Sequence, residues 1–106
     1  MDNLCNQKLV QIITSNILET RLKKIFKKLN ISSYTNLSVN GQGDTGLQSG
    51  HFDADSNVMF MVMLPEAKFE SLINELNQDI RKGYHHFVFS LNAELHSPFK
   101  CRSEDS

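Results

Sequence analysis

Val58-Met59-Phe60-Met61-Val62-Met63-Leu64, followed at once by Pro65, is the stretch on which the fold turns. Side chains alternate along a strand. Val58, Phe60, Val62 and Leu64 therefore share one face, and Met59, Met61 and Met63 share the other. Pro65 suits the first turn of a helix, and Phe69, Leu72, Ile73, Leu76 and Ile80 then recur with helical spacing until Gly83. Beyond it, Phe87 to Ala93 reads as the last strand, with Phe87, Phe89, Leu91 and Ala93 expected on its inner face. On the N-terminal side, Tyr34 to Val39 alternates and places Thr35, Leu37 and Val39 on one side of a half-exposed strand. Lys8 to Thr14 is short and β-branched and reads as a buried strand. Asn16 and Glu19 have capping-box spacing ahead of a helix whose apolar face is Leu18, Leu22, Ile25, Phe26 and Leu29. Arg21, Lys23, Lys24, Lys27 and Lys28 occupy its opposite face, most simply a solvated one.

The resulting order is β-α-β-β-α-β, an α+β, ferredoxin-like arrangement. It predicts a four-stranded antiparallel sheet with the first and third strands central, two helices on one face, and a long loop between the second and third strands. The other sheet face is open. Met59, Met61 and Met63 then form an uncovered apolar stripe, which calls for a partner; a second copy of the chain is the expected one. Residues 1–7 read as a polar N-terminal extension, 8–96 as the domain, and 97–106 as a polar tail.

With 106 residues and a net charge of -1, the chain is one domain with a modest core. It lacks the strongly basic balance of a binder of long nucleic acid. Cys5 and Cys101 are too few for a disulfide framework and read as free thiols of a reducing compartment. No apolar run is long enough to cross a bilayer, and Met1 to Gln7 is polar, unlike a signal peptide. A cytoplasmic location is expected, without membrane insertion.

The segment 40–57 holds Gly41, Gly43, Gly46 and Gly50, four of the five glycines. A loop of this length is a functional candidate, and its glycines let backbone amides approach phosphate oxygens. Gly41-Gln42-Gly43 does not open a helix after the first strand, so it is no dinucleotide fingerprint, and it lacks the Lys-Ser/Thr of a P-loop. Asp44, His51, Asp53 and Asp55 are too sparse for a calcium loop, and the four histidines do not have a zinc spacing. No catalytic motif is present, and a non-enzymatic protein is expected. Lys82-Gly83-Tyr84 with Phe87-Val88-Phe89 resembles the first motif of RNA-recognition modules. It lies on the fourth strand instead of the third, with one residue too many between Tyr84 and Phe87. No nucleic-acid partner is expected.

Gly41-Gln42-Gly43, Ser49-Gly50, Asp53, Asp55-Ser56-Asn57-Val58, Phe60 and Val62 together resemble the PII-like signalling proteins. The nearest branch is that of the cyanobacterial regulator of a sodium-dependent bicarbonate transporter. Lys8-Leu9-Val10, Leu22-Lys23-Lys24-Ile25, Tyr84 and Ala93-Glu94-Leu95 extend the likeness over residues 8–96. The resemblance implies a homotrimer that binds an adenine nucleotide (AMP, ADP, ATP or cyclic AMP) between subunits, with no required cofactor. It also implies that 40–57 is a T-loop, which docks on a membrane transporter or cytosolic enzyme. By position, Thr35, Leu37, Gly41, Gly43, Ser56 and Asn57 would line the cleft from one subunit. The neighbouring subunit would contribute His86, Phe87 and Val88.

The chain departs from that pattern at four positions. Asp44-Thr45 stands where the relative has Ser-Arg, which removes a bidentate phosphate contact. Gln48 replaces a second loop arginine. His86 aligns with the glycine before the last strand; protonated, it would restore part of the lost charge. A weaker nucleotide site, a site for another ligand and a lost site all fit these departures. A ligand-free trimeric adaptor and a metal-responsive trimer of similar fold, such as the divalent-ion-tolerance proteins, are the alternative functions.

Overall fold

The computed structural model describes residues 5–40 and 56–97. Gly41 and Gly43, most of the expected T-loop and Cys101 lie outside them. Strand β1 (Cys5–Ser15) leads through a 3-10 turn (Asn16–Leu18) into helix α1 (Glu19–Lys28). Strands β2 (Thr35–Val39) and β3 (Asn57–Leu64) follow, then helix α2 (Glu66–Arg81) and strand β4 (His86–Leu95). The sheet order is β2-β3-β1-β4, with every neighbouring pair antiparallel. This is the ferredoxin-like topology expected from the sequence, with β1 and β3 central.

The helix-side face carries the core. Val10 and Ile12 of β1 and Val58, Phe60, Val62 and Leu64 of β3 are buried against Leu22 and Phe26 of α1 and Leu72 and Leu76 of α2. Phe26 packs edge-on to Phe60, with ring centroids 5.3 Å apart, and lies 4.8 Å from Tyr34, an arrangement that aromatic quadrupoles favour.

Both helices end in the same way. Asn30 closes α1 at φ 61 and Gly83 closes α2 at φ 106. The Ile31 and Asn30 amides donate to the Phe26 and Lys27 carbonyls, and the Tyr84 and Gly83 amides donate to those of Asp79 and Ile80. These paired bonds satisfy helix-end carbonyls by means of a left-handed residue.

Two expectations need correction. The Asn16–Glu19 capping box does not form. Because β1 continues to Ser15, the Ser15 hydroxyl reaches the turn first and accepts from the Ile17 amide at 3.2 Å. Glu19 instead accepts from Asn36 at 2.9 Å and pairs with Lys23 at 3.2 Å. The second correction concerns β4. Phe87, Phe89 and Leu91 are not inside: they are 55%, 38% and 54% exposed. Register decides this, because His86 pairs with Thr14 and both turn toward the helices. Phe87, Phe89 and Leu91 therefore join Ile13, Gln11 and Leu9 on the open face.

Candidate functional site

All four strands bring one terminus to the same end of the sheet: Ser15, Val39, Asn57 and His86. This end is the root of the segment 41–55. Asn57 pairs with both Ser15 and Val39. The Asn16 amide donates to the Ser56 carbonyl at 3.1 Å, which ties the start of β3 to the turn after β1. Ser56, Asn57, His86, Phe87 and Val88 are thus gathered at one end. Thr35 and Leu37 lie further along edge strand β2, opposite Met61 and Met59 on the open face.

Behind this end lies a buried polar network. The His86 ring is wholly buried, with Nδ1 3.1 Å from the Thr14 hydroxyl and Nε2 2.8 Å from Asp79 Oδ2. The Thr14 hydroxyl donates to the His85 carbonyl at 2.9 Å. Arg21 donates to both Asp79 oxygens, at 2.6–3.0 Å, and its guanidinium lies 3.7 Å from the centroid of the Tyr84 ring. The network joins β1, α1, α2 and the α2–β4 connection. Asp79 sits in the last turn of α2, where the helix dipole disfavours a carboxylate. The hydrogen bonds from Arg21 hold its carboxyl below the ordinary range against the upward push of burial, and the bond from His86 acts in the same direction.

The open face is mostly apolar, interrupted by Thr35 and Gln11. Leu37, Met59, Ile13 and Phe87 form the first row from the loop root that spans all four strands. Thr35, Met61, Gln11 and Phe89 form the next row, and Met63, Leu9 and Leu91 lie beyond. Met59, Met61 and Met63 are therefore the middle of a wider surface, to which β4 adds two rings 5.7 Å apart.

An open cleft of about 830 Å³ at the opposite end of the sheet is lined by Asn6, Lys8, Glu66, Asn92, Glu94 and His96, among others. Its charges are mixed, and its Lys8 ammonium is already bound to Asn92 at 2.7 Å. It offers no convergent donor set.

A profile of the family described as nitrogen regulatory protein P-II matches residues 7–94. The chain belongs to that family. Among solved structures, a PII-like signaling protein of Thermus thermophilus is 25% identical, with a TM-score of 0.73 over 95% of this chain and 99% of its own. CPII of Thiomonas intermedia, in a structure bound to ADP and bicarbonate, is 22% identical, with a TM-score of 0.75 over 93% and 97%. A second CPII structure, bound to ADP, AMP and acetate, is 18% identical, with a TM-score of 0.74 over 92% and 96%. No curated protein matches the sequence. P-II membership makes the chain a regulatory protein by family.

Sequence reasoning missed the partners of His86. Thr14, Arg21 and Asp79 lie on three different elements, and no spacing along the chain links them. Asp79 alone left a trace, as an acidic residue in the last turn of a helix. No helix among the described residues is long and apolar enough to cross a membrane.

Proposed function

We propose that the chain is a cytoplasmic, homotrimeric, non-enzymatic PII-like regulator. It binds an adenine nucleotide in clefts between subunits and controls a transporter or enzyme through the T-loop, 40–57. The reading is carried by the open face, whose first full four-strand row from the loop root ends in exposed Phe87. A copy covering that face places the loop-root residues at the rim of a subunit interface, so that a ligand held there lies between chains. Thr35, Leu37, Gly41, Gly43, Ser56 and Asn57 are proposed to face it from one subunit, and the segment from Tyr84 to Val88 from the next. His86 supports that segment from behind.

The CPII structures with ADP and AMP support an adenine nucleotide as ligand. Thr45 and Gln48, where the arginine-bearing relatives carry charge, make weaker binding the expectation. Calorimetry of the full chain with AMP, ADP, ATP and cyclic AMP, repeated with bicarbonate and with divalent ions, is the test. Heat with a nucleotide supports the reading. No heat with any nucleotide refutes it: a trimer without a response would then be the adaptor, and heat with metal ions alone would indicate the metal-responsive alternative.

A further inference from the structure

We propose that His86 is a proton-linked latch on the connection between α2 and β4, and that it regulates the proposed nucleotide cleft by setting how firmly that wall is held. The regulatory half rests on the cleft reading above; the latch itself rests on hydrogen-bond arithmetic.

Asp79, ionised and paired with Arg21, can only accept. His86 Nε2, 2.8 Å away, must therefore donate to it. The Thr14 hydroxyl has one proton and two candidate acceptors, the His85 carbonyl and His86 Nδ1. The geometry serves both choices: donating to the His85 carbonyl at 2.9 Å, the hydroxyl turns a lone pair to Nδ1 at 3.1 Å, and donating to Nδ1 it leaves that carbonyl without its proton. In the first arrangement Nδ1 carries a proton as well and the ring is an imidazolium; in the second Nδ1 is the acceptor and the ring is neutral. When Nδ1 loses that proton to solvent, the Thr14 hydroxyl turns to donate to Nδ1, and the His85 carbonyl loses its donor. Nε2–H stays on Asp79 in both states. One proton therefore decides whether the backbone of the α2–β4 connection is tied to central strand β1.

The charged groups facing the ring are Arg21 from α1 and Asp79 from α2; β1 contributes only the neutral Thr14. Tyr84 lies against Arg21 within the connection itself. Because Arg21 and Asp79 cancel, the cluster is neutral with His86 deprotonated and carries one positive charge with it protonated. Protonation thus ties the wall and adds a charge favourable to an anionic ligand at the same step. His85, adjacent and exposed, is a second imidazole and needs its own control.

The test is NMR of the full-length protein between about pH 5.5 and about pH 8.5. It follows the ring nitrogens of each histidine and the amides of Tyr84 and His85, in the wild type, His85→Gln and Thr14→Val. The latch predicts that His86 carries both ring protons at the lower pH and loses only the Nδ1 proton as pH rises. The two amides move with the same midpoint in the wild type and in His85→Gln. Thr14→Val, which removes the hydroxyl and keeps the shape, abolishes that coupling. A singly protonated His86 across the whole range, or amides that ignore its titration, overturns the latch. Calorimetry with ADP then tests the regulation: affinity is several-fold higher at the lower pH in the wild type, and Thr14→Val, which keeps the charge change but not the tie, shows a smaller dependence. A flat wild-type affinity overturns the regulatory half. Absence of ADP binding at every pH overturns the cleft reading and the regulation with it, while the NMR titration still decides the latch.

Discussion

Replacing Asp79 with asparagine removes the acceptor on which the buried network converges. The Asp79 side chain is 5% exposed and accepts three N–H contacts from Arg21 and one from His86. Asparagine keeps the shape but has one acceptor oxygen, and its amide hydrogens face groups that are themselves donors. Removing one partner of a buried ion pair costs about 3–5 kcal/mol. Two features place this case at the low end. The Arg21 side chain is 35% exposed and can rehydrate, and neutralising a carboxylate in the last turn of α2 relieves an unfavourable helix-end field. The expected loss is about 3 kcal/mol, which for a domain of this length lowers Tm by roughly 10–15 °C. The assay is urea unfolding of both proteins at one fixed concentration, since assembly couples to stability. The pH dependence has a definite sign. The Asp79 carboxyl is lowered in the folded state, so its contribution is complete above about pH 5 and fades as pH falls past the unfolded value near about 3.9. The gap between wild type and Asp79→Asn should therefore narrow in acid. A gap under about 1 kcal/mol at neutral pH, or one that stays constant down to about pH 3, would refute the reasoning.

Met61→Glu puts a carboxylate in the middle of the open face and should reduce the mass by light scattering to that of a single 12.1 kDa chain, with circular dichroism unchanged. A variant that still assembles would remove this face as the interface. Gly83→Ala should cost about 1–2 kcal/mol by urea midpoint, because φ is 106 and the new Cβ meets nothing within 4 Å, so that backbone strain is the whole effect. An unchanged midpoint would contradict the left-handed helix end.

Topology was readable because each strand and helix announced its own period. Val58–Leu64 shows the limit of that reading and β4 shows its failure. In β3 both alternating sets are apolar, so either assignment of faces buries a hydrophobic set. In β4 the apolar set, Phe87, Phe89 and Leu91, looked like the inner one, but pairing with β1 placed it outside. A single strand carries no information on which side the helices will lie. That is settled by the pairing of Thr14 with His86, two polar residues that a hydrophobicity rule would have put in water. Of the proposed cleft residues, Ser56 and Asn57 were legible as the exit of the long loop, and Phe87 and Val88 as the start of the last strand. The network behind them was not, since its bonds cross between elements far apart in the chain.

The placement of buried polarity itself argues for where function lies. Among the described residues the buried polar or charged side chains are Gln7, Thr14, Asn57, Asp79 and His86. All but Gln7 stand at or behind the loop-root end, while the rest of the helix-side core is aliphatic and aromatic. An apolar core of the same volume would be as stable or more so, because buried ion pairs lose much of their attraction to desolvation. Stability therefore does not account for the concentration of Arg21, Asp79, His86 and Thr14 at one end of the sheet. Departures from local design rules of this kind mark functional or strained sites. The network lies between two helices, a central strand and the connection that enters β4, and its members bond one another and not the apolar core. A regulator needs such a segment, one whose position depends on a few exchangeable hydrogen bonds instead of on close packing, whereas a passive assembly module would gain nothing from it.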